Sequence, residues 1–207
     1  DQITLLPLGS SARAIWHGKV IGKLELSVPG HHNLMNAAAA LAAGIVLDQA
    51  PAEMIDGLAT FKGAGRRFEI KGTVNGIRVI DDYGHHPTEI EVTLTAARRF
   101  AGEGRLIVVF QPHRYSRTKA FIDNFATTLD LADEVIVLEI YAASEKPIAG
   151  ISSETIVEKM THGKFIPNFI DAVDAVVKSA KPGDVVITLG AGDVSSLAPI
   201  IVEELAK

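Results

Sequence analysis

The chain has 207 residues, 47% of them apolar, and a net charge of -5 at pH 7. This length fits one large domain, or one domain and part of another, and the apolar content suffices for a buried core. The negative charge argues against a nucleic-acid-binding surface, and the absence of cysteine excludes disulfides and thiolate sites.

The first 65 residues combine short strands with two predicted helices. Residues 3–28 are β-prone pieces separated by glycine turns. Residues 37–47 form the longest apolar run; because a membrane span needs about 20 residues, we predict a buried helix and no membrane insertion. Pro51 opens the second helix. The chain starts at Asp1 without a signal-peptide pattern, so we expect it to be cut from a longer polypeptide.

From residue 66 onward, strands and helices alternate, which predicts a mostly parallel sheet covered on both faces. Asn75-Gly76 predicts a hairpin between the first two strands. Later strands are predicted at 106–110, 134–138, 164–166 and 184–189. Helices are predicted at 87–99, at 152–160 with a serine cap and at 169–180. Two more helices follow residues 111–118 and 190–193 and end at about 131 and 206. We divide the chain at a glycine linker into residues 1–65 and 66–207.

Titratable side chains concentrate where two predicted strands end. Residues 81–86 read Asp-Asp-Tyr-Gly-His-His, and residues 113–117 read His-Arg-Tyr-Ser-Arg. Open α/β sheets bind ligands at the carboxyl ends of their strands, so both segments are candidate site residues. The guanidinium groups of Arg114 and Arg117 suit a carboxylate; the alternative is a polar loop with a cation stacked on Tyr115.

For residues 81–86, the alternatives are a helix cap with surface histidines, or a metal site. Adjacent histidines such as His85 and His86 point in different directions, which is poor geometry for one metal ion. We predict no metal site within this chain.

Two earlier segments leave alternatives open. Asn33 and Asn36 are either a helix cap and a surface residue, or amides that contact an adenine edge. Arg66 and Arg67 either bind a phosphate or form a solvated pair with Glu69.

Residues 190–193 read Gly-Ala-Gly-Asp, half of a dinucleotide-binding fingerprint. The third glycine is missing and the motif follows the last strand, which favours a tight turn with Asp193 as a helix cap. No Gly-x-x-x-x-Gly-Lys-Ser/Thr loop occurs, so the chain lacks a P-loop for a triphosphate.

These motifs, in this order, resemble the Mur ligases, the ATP-dependent amide-forming enzymes of peptidoglycan synthesis. The resemblance covers the whole chain and rests on residues 30–36, 66–69, 81–89 and 110–118. The last two segments resemble the family member that adds alanine. The resemblance implies that residues 1–65 are the C-terminal part of a central ATP-binding domain and that residues 66–207 are a Rossmann-like C-terminal domain.

The resemblance also implies roles for individual residues. The residues implied in ATP binding are His32, Asn33, Asn36, Arg67 and Asp82. Those implied in binding alanine and the muramoyl group are Tyr83, His85, His113, Arg114 and Arg117, the last four also as catalytic residues.

The implied reaction joins L-alanine to UDP-N-acetylmuramate through an acyl phosphate, with ATP and Mg²⁺, in the bacterial cytoplasm. The P-loop and the main Mg²⁺ ligands are expected outside this chain, so we expect the isolated chain to be inactive. His85 or His113 is the expected acceptor of the ammonium proton. The alternatives are a nucleotide-binding module without catalysis and an NAD-dependent oxidoreductase. The oligomeric state does not follow from the sequence.

Overall fold

In the computed structural model, which describes residues 1–207, the first unit of the chain spans Asp1–Ala64. Its antiparallel sheet has the order β1 (Thr4–Leu6), β2 (Gly9–Trp16) and β3 (Lys19–Leu26), and its helices are α1 (His31–Val46) and α2 (Pro51–Ala59). Helix α1 and the sheet share one hydrophobic core, to which α1 contributes Leu34, Ala37 and Leu41.

Helix α1 differs from its prediction in two ways. It begins at His31, with Gly30 at the cap position and φ of 96°, and no side chain caps it. The side-chain Nδ2 of Asn33 instead donates to the Pro29 carbonyl at 2.7 Å, so Asn33 is not the cap. The apolar run is buried on one face only, since Val46 is 71% exposed.

The second unit, Gly65–Lys207, contains a six-stranded sheet of order β4-β5-β9-β6-β7-β8. The strands are β4 (Glu69–Val74), β5 (Ile77–Asp82), β6 (Leu106–Phe110), β7 (Glu134–Val137), β8 (Gly163–Phe165) and β9 (Val185–Leu189). Only β4 is antiparallel to its neighbour. This confirms the predicted α/β fold with a mostly parallel sheet.

Helices cover both faces of this sheet. They are α3 (Pro87–Ala101), α4 (Tyr115–Leu129), α5 (Glu154–Val157), α6 (Phe169–Ser179) and α7 (Leu197–Leu205). Ile90 of α3 and Phe125 of α4 pack in one core with Val108, whereas Ile201 of α7 packs in the other with Val109. Consecutive residues of β6 thus face opposite layers, because side chains alternate along a strand.

Local turn chemistry sets two boundaries before the site. Asn75 and Gly76 have φ of 50° and 77°, the left-handed pair that a two-residue hairpin turn requires. Pro87 is the first residue of α3, as predicted, and His86 and Glu89 form a capping box there.

Two other predictions were wrong in detail. The helix predicted over 152–160 is reduced to α5, and Ser153 does not cap it because its buried hydroxyl has no hydrogen-bond partner. Asp193 begins a short 3-10 turn, Asp193–Ser196, without capping it. Its carboxylate accepts a hydrogen bond from Nε2 of Gln111 at 2.7 Å, a contact between distant segments.

Candidate functional site

Three neighbouring strands of the second unit end at the same edge of the sheet. Asp82 of β5 and Phe110 of β6 are both in register with Leu189 of β9, which lies between them. Residues 83–86 and 111–114 therefore leave the sheet side by side. Carboxyl ends of parallel strands are where open α/β sheets bind ligands.

The side chains of these two segments meet. The Tyr83 and His85 rings lie 5.2 Å apart edge to face, and the His85 and His113 rings lie 5.8 Å apart. The Arg117 guanidinium lies 3.1 Å from Nδ1 of His113. Four residues predicted to receive alanine thus form one cluster, although what they bind remains a prediction.

Arg114 is the fifth member of that predicted group. It is exposed, occupies the cap position of α4 and has φ of 74°. This left-handed conformation is unusual for a residue with a β-carbon. It turns the chain from the end of β6 into α4, so Arg114 and Arg117 flank the start of one helix.

The surroundings of His113 favour its uncharged form. Burial lowers its pKa from the ordinary 6.5, and the charges of Arg117, His85 and Arg114 lower it further. A neutral imidazole near pH 7 is able to accept a proton.

Glu89 supports the other side of the cluster. Its carboxylate accepts from the His85 amide at 3.0 Å and from the His86 amide at 3.2 Å. Burial acts to raise the pKa of Glu89, but these amides, the His85 ring and Arg67 hold it below its ordinary value. The acid therefore stays ionised beside the two histidines.

Arg66 and Arg67 lie near the Tyr83 ring, with guanidinium carbons 5.0 and 5.6 Å from its centroid. Arg66 donates to Asp81 at 3.0 Å and to the Gly190 carbonyl at 2.7 Å, whereas the Arg67 side chain is 49% exposed. Of the two, Arg67 is the more exposed, and its contact with an ATP phosphate stays a prediction.

Asp82 lies beneath the site and is only 4% exposed. Its carboxylate accepts from the Phe68 and Gly84 amides, each at 2.8 Å, and from the Thr93 hydroxyl at 3.2 Å. Burial raises the pKa of Asp82. Contact with an ATP ribose stays a prediction.

The remaining predicted ATP-site residues belong to the first unit. His32, Asn33 and Asn36 lie in the first turns of α1; Asn36 is exposed, and His32 and Asn33 are half-buried. Their role in adenine binding stays a prediction.

Close packing explains why residues 190 and 192, in the turn that resembles half of a dinucleotide-binding fingerprint, are glycines. A β-carbon on Gly192 would lie 2.3 Å from Oε1 of Gln111 and 2.8 Å from Cγ of Tyr141. Gly190 has φ of 146°, and its carbonyl accepts from Arg66. The turn therefore serves close packing at the end of β9.

Sequence reasoning missed three contributors, Gln111, Tyr141 and Glu145. Tyr141 stacks on His113 with ring centroids 5.5 Å apart and planes 16° apart. Glu145 accepts hydrogen bonds from Ser116. The available signal was the position of Tyr141 just after β7, a neighbour of β6 in the sheet.

No group of three or more His, Asp or Glu side chains is arranged to hold a metal ion. None of the helices combines the length and the apolar character needed to cross a bilayer.

Comparisons with known proteins agree on one family. The model described as "Mur ligase, glutamate ligase domain" matches residues 66–192. A UDP-N-acetylmuramate–L-alanine ligase of Paenarthrobacter aurescens is 50% identical over 185 residues, 89% of this chain and 40% of the relative. One of Mycobacterium marinum is 51% identical over 186 residues, 88% of this chain and 38% of the relative.

Among solved structures, a UDP-N-acetylmuramate–alanine ligase from Thermotoga maritima aligns with a TM-score of 0.83 and 31% identity. The alignment covers 98% of this chain and 44% of that structure. The chain thus spans about two fifths of the length of the curated relatives that it matches.

Proposed function

The chain belongs to the Mur ligase family, and from that premise we propose that it forms the C-terminal part of an ATP-dependent ligase. The proposed reaction joins L-alanine to UDP-N-acetylmuramate through an acyl phosphate, in peptidoglycan synthesis. The names of its relatives support this substrate pair. In this proposal, residues 1–65 complete a central ATP-binding domain, residues 66–207 form the C-terminal domain, and the bacterial cytoplasm is the compartment.

One observation carries the proposal: Tyr83, His85, His113 and Arg117 pack together where three strands end. The cluster offers a cationic group for a carboxylate beside an imidazole for a proton. An amino acid substrate presents those two features, a carboxylate and an ammonium group.

We assign the two ends of alanine accordingly. Arg114 and Arg117 receive its carboxylate, because guanidinium groups bind carboxylates through two parallel hydrogen bonds. His113 or His85 takes the ammonium proton, and the lowered pKa of His113 leaves its imidazole neutral near pH 7 and able to accept one. The free amine then attacks the acyl carbon, a C–N bond forms, and the acyl–phosphate bond breaks with release of phosphate.

The nucleotide side of the proposal assigns roles to five residues. His32, Asn33 and Asn36 contact adenine, Asp82 contacts the ribose, and Arg67 neutralises charge on the terminal phosphates. Mg²⁺, when bound, stabilises charge on phosphoryl oxygens. We assign the main Mg²⁺ ligands to the part of the relatives outside the matched segment.

Titration of the ¹⁵N-labelled chain with L-alanine, ATP and NAD tests the proposal by NMR. We expect weak alanine binding with shifts at residues 83–86 and 113–117, weak ATP binding and no turnover. Arg117→Ala is expected to weaken alanine binding, whereas Lys119→Ala, which removes an exposed charge two positions further along α4, leaves it unchanged.

Other outcomes point to the alternatives. ATP binding without any response to alanine would support a nucleotide-binding module without catalysis. The missing P-loop favours this alternative for the isolated chain. NAD binding at residues 190–193 would support an oxidoreductase. Robust ligase activity of this chain by itself would contradict the assignment of the phosphate loop to a segment outside it.

A further inference from the structure

After β7 the chain returns to the candidate site and contacts the turn that carries His113. The Tyr141 amide donates to the Pro112 carbonyl, and the Arg114 amide donates to the Tyr141 carbonyl, both at 2.8 Å. The Tyr141 ring stacks on the His113 ring between these two bonds. His113 is therefore held on its backbone and on its ring by one residue from a different strand end.

Glu145, four residues later, contacts the beginning of α4. Its two carboxylate oxygens accept from the Ser116 amide at 2.9 Å and from the Ser116 hydroxyl at 2.5 Å. Helix α4 needs such an acceptor, because Arg114 at the cap position makes no side-chain cap bond. Glu145 supplies the missing cap from a distant loop.

The negative charge of the Glu145 carboxylate is favourable at the N-terminus of α4. Hydrogen bonds from the Ser116 hydroxyl and amide, and the nearby Arg114 charge, lower the pKa of Glu145 below its ordinary value. An ionised carboxylate complements the partial positive charge at a helix N-terminus. It also occupies the Ser116 amide, a donor that would otherwise attract a ligand anion.

The backbone between Tyr141 and Glu145 is strained. Ala143 and Ser144 have φ of 48° and 72°, and the Glu145 amide closes the turn on the Ala142 carbonyl at 2.9 Å. Left-handed residues with a β-carbon persist where surrounding contacts over-determine them. The turn directs Tyr141 and Glu145 toward the same target, the start of α4.

We infer that Tyr141 and Glu145 are positioning residues that form a clamp on residues 113–117. Tyr141 fixes the His113 ring, and Glu145 fixes the first turn of α4 and closes its N-terminus to ligand anions. A ligand carboxylate is then received by Arg114 and Arg117 and not by the Ser116 amide, which Glu145 occupies. The inference rests on the proposed function for the identity of that ligand, alanine.

Sulfate binding tests the closed helix N-terminus. In the ¹⁵N-labelled chain, we expect Glu145→Ala to bind sulfate at least about five-fold more tightly than the wild type, with shifts at the Tyr115 and Ser116 amides, and to speed hydrogen exchange at Ser116 about five-fold or more. Glu139→Ala is the matched control, since Glu139 is exposed on the same segment and bonds only its own neighbour, Ile140.

Equal sulfate affinity in the wild type and Glu145→Ala, in folded protein, overturns the role of Glu145. Should Glu145→Ala fail to fold, Glu145→Gln carries the same test, because it keeps the side-chain volume and removes the charge. We expect it also to bind sulfate more tightly than the wild type, and unchanged affinity overturns the inference.

NMR titration of the His113 ring tests Tyr141. The charged groups that face His113 are Arg117 and Arg114 on α4, His85 after β5 and Glu145 after β7. Tyr141→Ala uncovers the ring and is expected to raise the His113 pKa toward its ordinary value, whereas Tyr141→Phe retains the stack and the lowered pKa. The same His113 pKa in both variants overturns the role of Tyr141.

Neither readout needs alanine or ATP, so an experiment can contradict the clamp without contradicting the proposed function, and the reverse. If the wild-type chain shows no response to alanine while the sulfate and His113 results are as expected, the proposed function is contradicted and the clamp stands. If alanine binds but Glu145→Ala gains no sulfate affinity, the clamp is contradicted and the proposed function stands.

Discussion

Nε of Arg66 lies 3.0 Å from Oδ2 of Asp81, whose side chain is fully buried. Arg66 also donates to the Gly190 carbonyl, and its own carbonyl accepts from the Tyr83 amide at 2.7 Å. These hydrogen bonds hold the first residues of the second unit against the ends of β5 and β9. Arg67, the next residue, is placed beside Tyr83 by these bonds.

The first prediction concerns stability. Arg66→Ala is expected to lower the free energy of unfolding by about 3 kcal/mol, because it leaves the buried Asp81 carboxylate without its cation. Arg67→Ala, which removes a half-exposed guanidinium, is expected to change it by less than about 0.5 kcal/mol. Urea denaturation of the chain measures both; equal effects would show that the Arg66–Asp81 pair is not important for stability.

The second prediction concerns ATP. In a full-length ligase that contains this chain, Arg67→Ala is expected to raise KM for ATP and to lower kcat, with a loss of about 10- to 100-fold in kcat/KM. Arg99→Ala, an exposed arginine at the end of α3, is the control and should have no effect. Unchanged ATP kinetics in Arg67→Ala would remove Arg67 from the site.

The third prediction concerns the proton acceptor. Because burial and three neighbouring cations or histidines lower the pKa of His113, activity of that ligase should fall on acidification below the ordinary value of 6.5. His113→Gln is expected to lower kcat by about 100-fold. His162→Gln, an exposed histidine outside the site, should retain both rate and profile. An intact pH–rate profile after replacement of both His85 and His113 by Gln would rule out either as the base.

The fourth prediction concerns acid stability. Burial acts to raise the pKa of Asp184, but the Arg105 guanidinium and the Lys181 and Arg105 amides hold it below its ordinary 3.8. The unfolded chain therefore binds this proton first as pH falls, so the contribution is present above about pH 4 and is lost as pH falls through the folded-state pKa.

Replacing this acid by an amide isolates its contribution. Asp184→Asn is expected to cost about 1–3 kcal/mol at pH 7 and to reduce the decline in stability below pH 4. Asp174→Asn, on the exposed face of α6, should change neither. Urea denaturation at pH 7 and pH 3 measures the difference; an unchanged pH dependence in Asp184→Asn would contradict the assignment.

The sequence by itself determined the features that depend on neighbouring residues. Asn75-Gly76 predicts its hairpin because few residues tolerate two left-handed conformations in succession. The all-apolar run of β6 indicates a strand buried on both faces. Alternating strands and helices place Tyr83, His85 and His113 at strand ends, so their proximity could be anticipated, whereas the ligands they bind could not be identified from pattern alone.

Only the tertiary structure decided which strand ends are neighbours and which polar groups are buried. Strand β9, last in the chain, inserts between β5 and β6 and brings Gly190 to Arg66. Asp82 and an exposed acid look alike in sequence, yet packing buries Asp82. The contacts of Tyr141 and Glu145 with the start of α4 likewise join residues about thirty positions apart. Such contacts depend on how the whole sheet assembles, and no local pattern of residues encodes that arrangement.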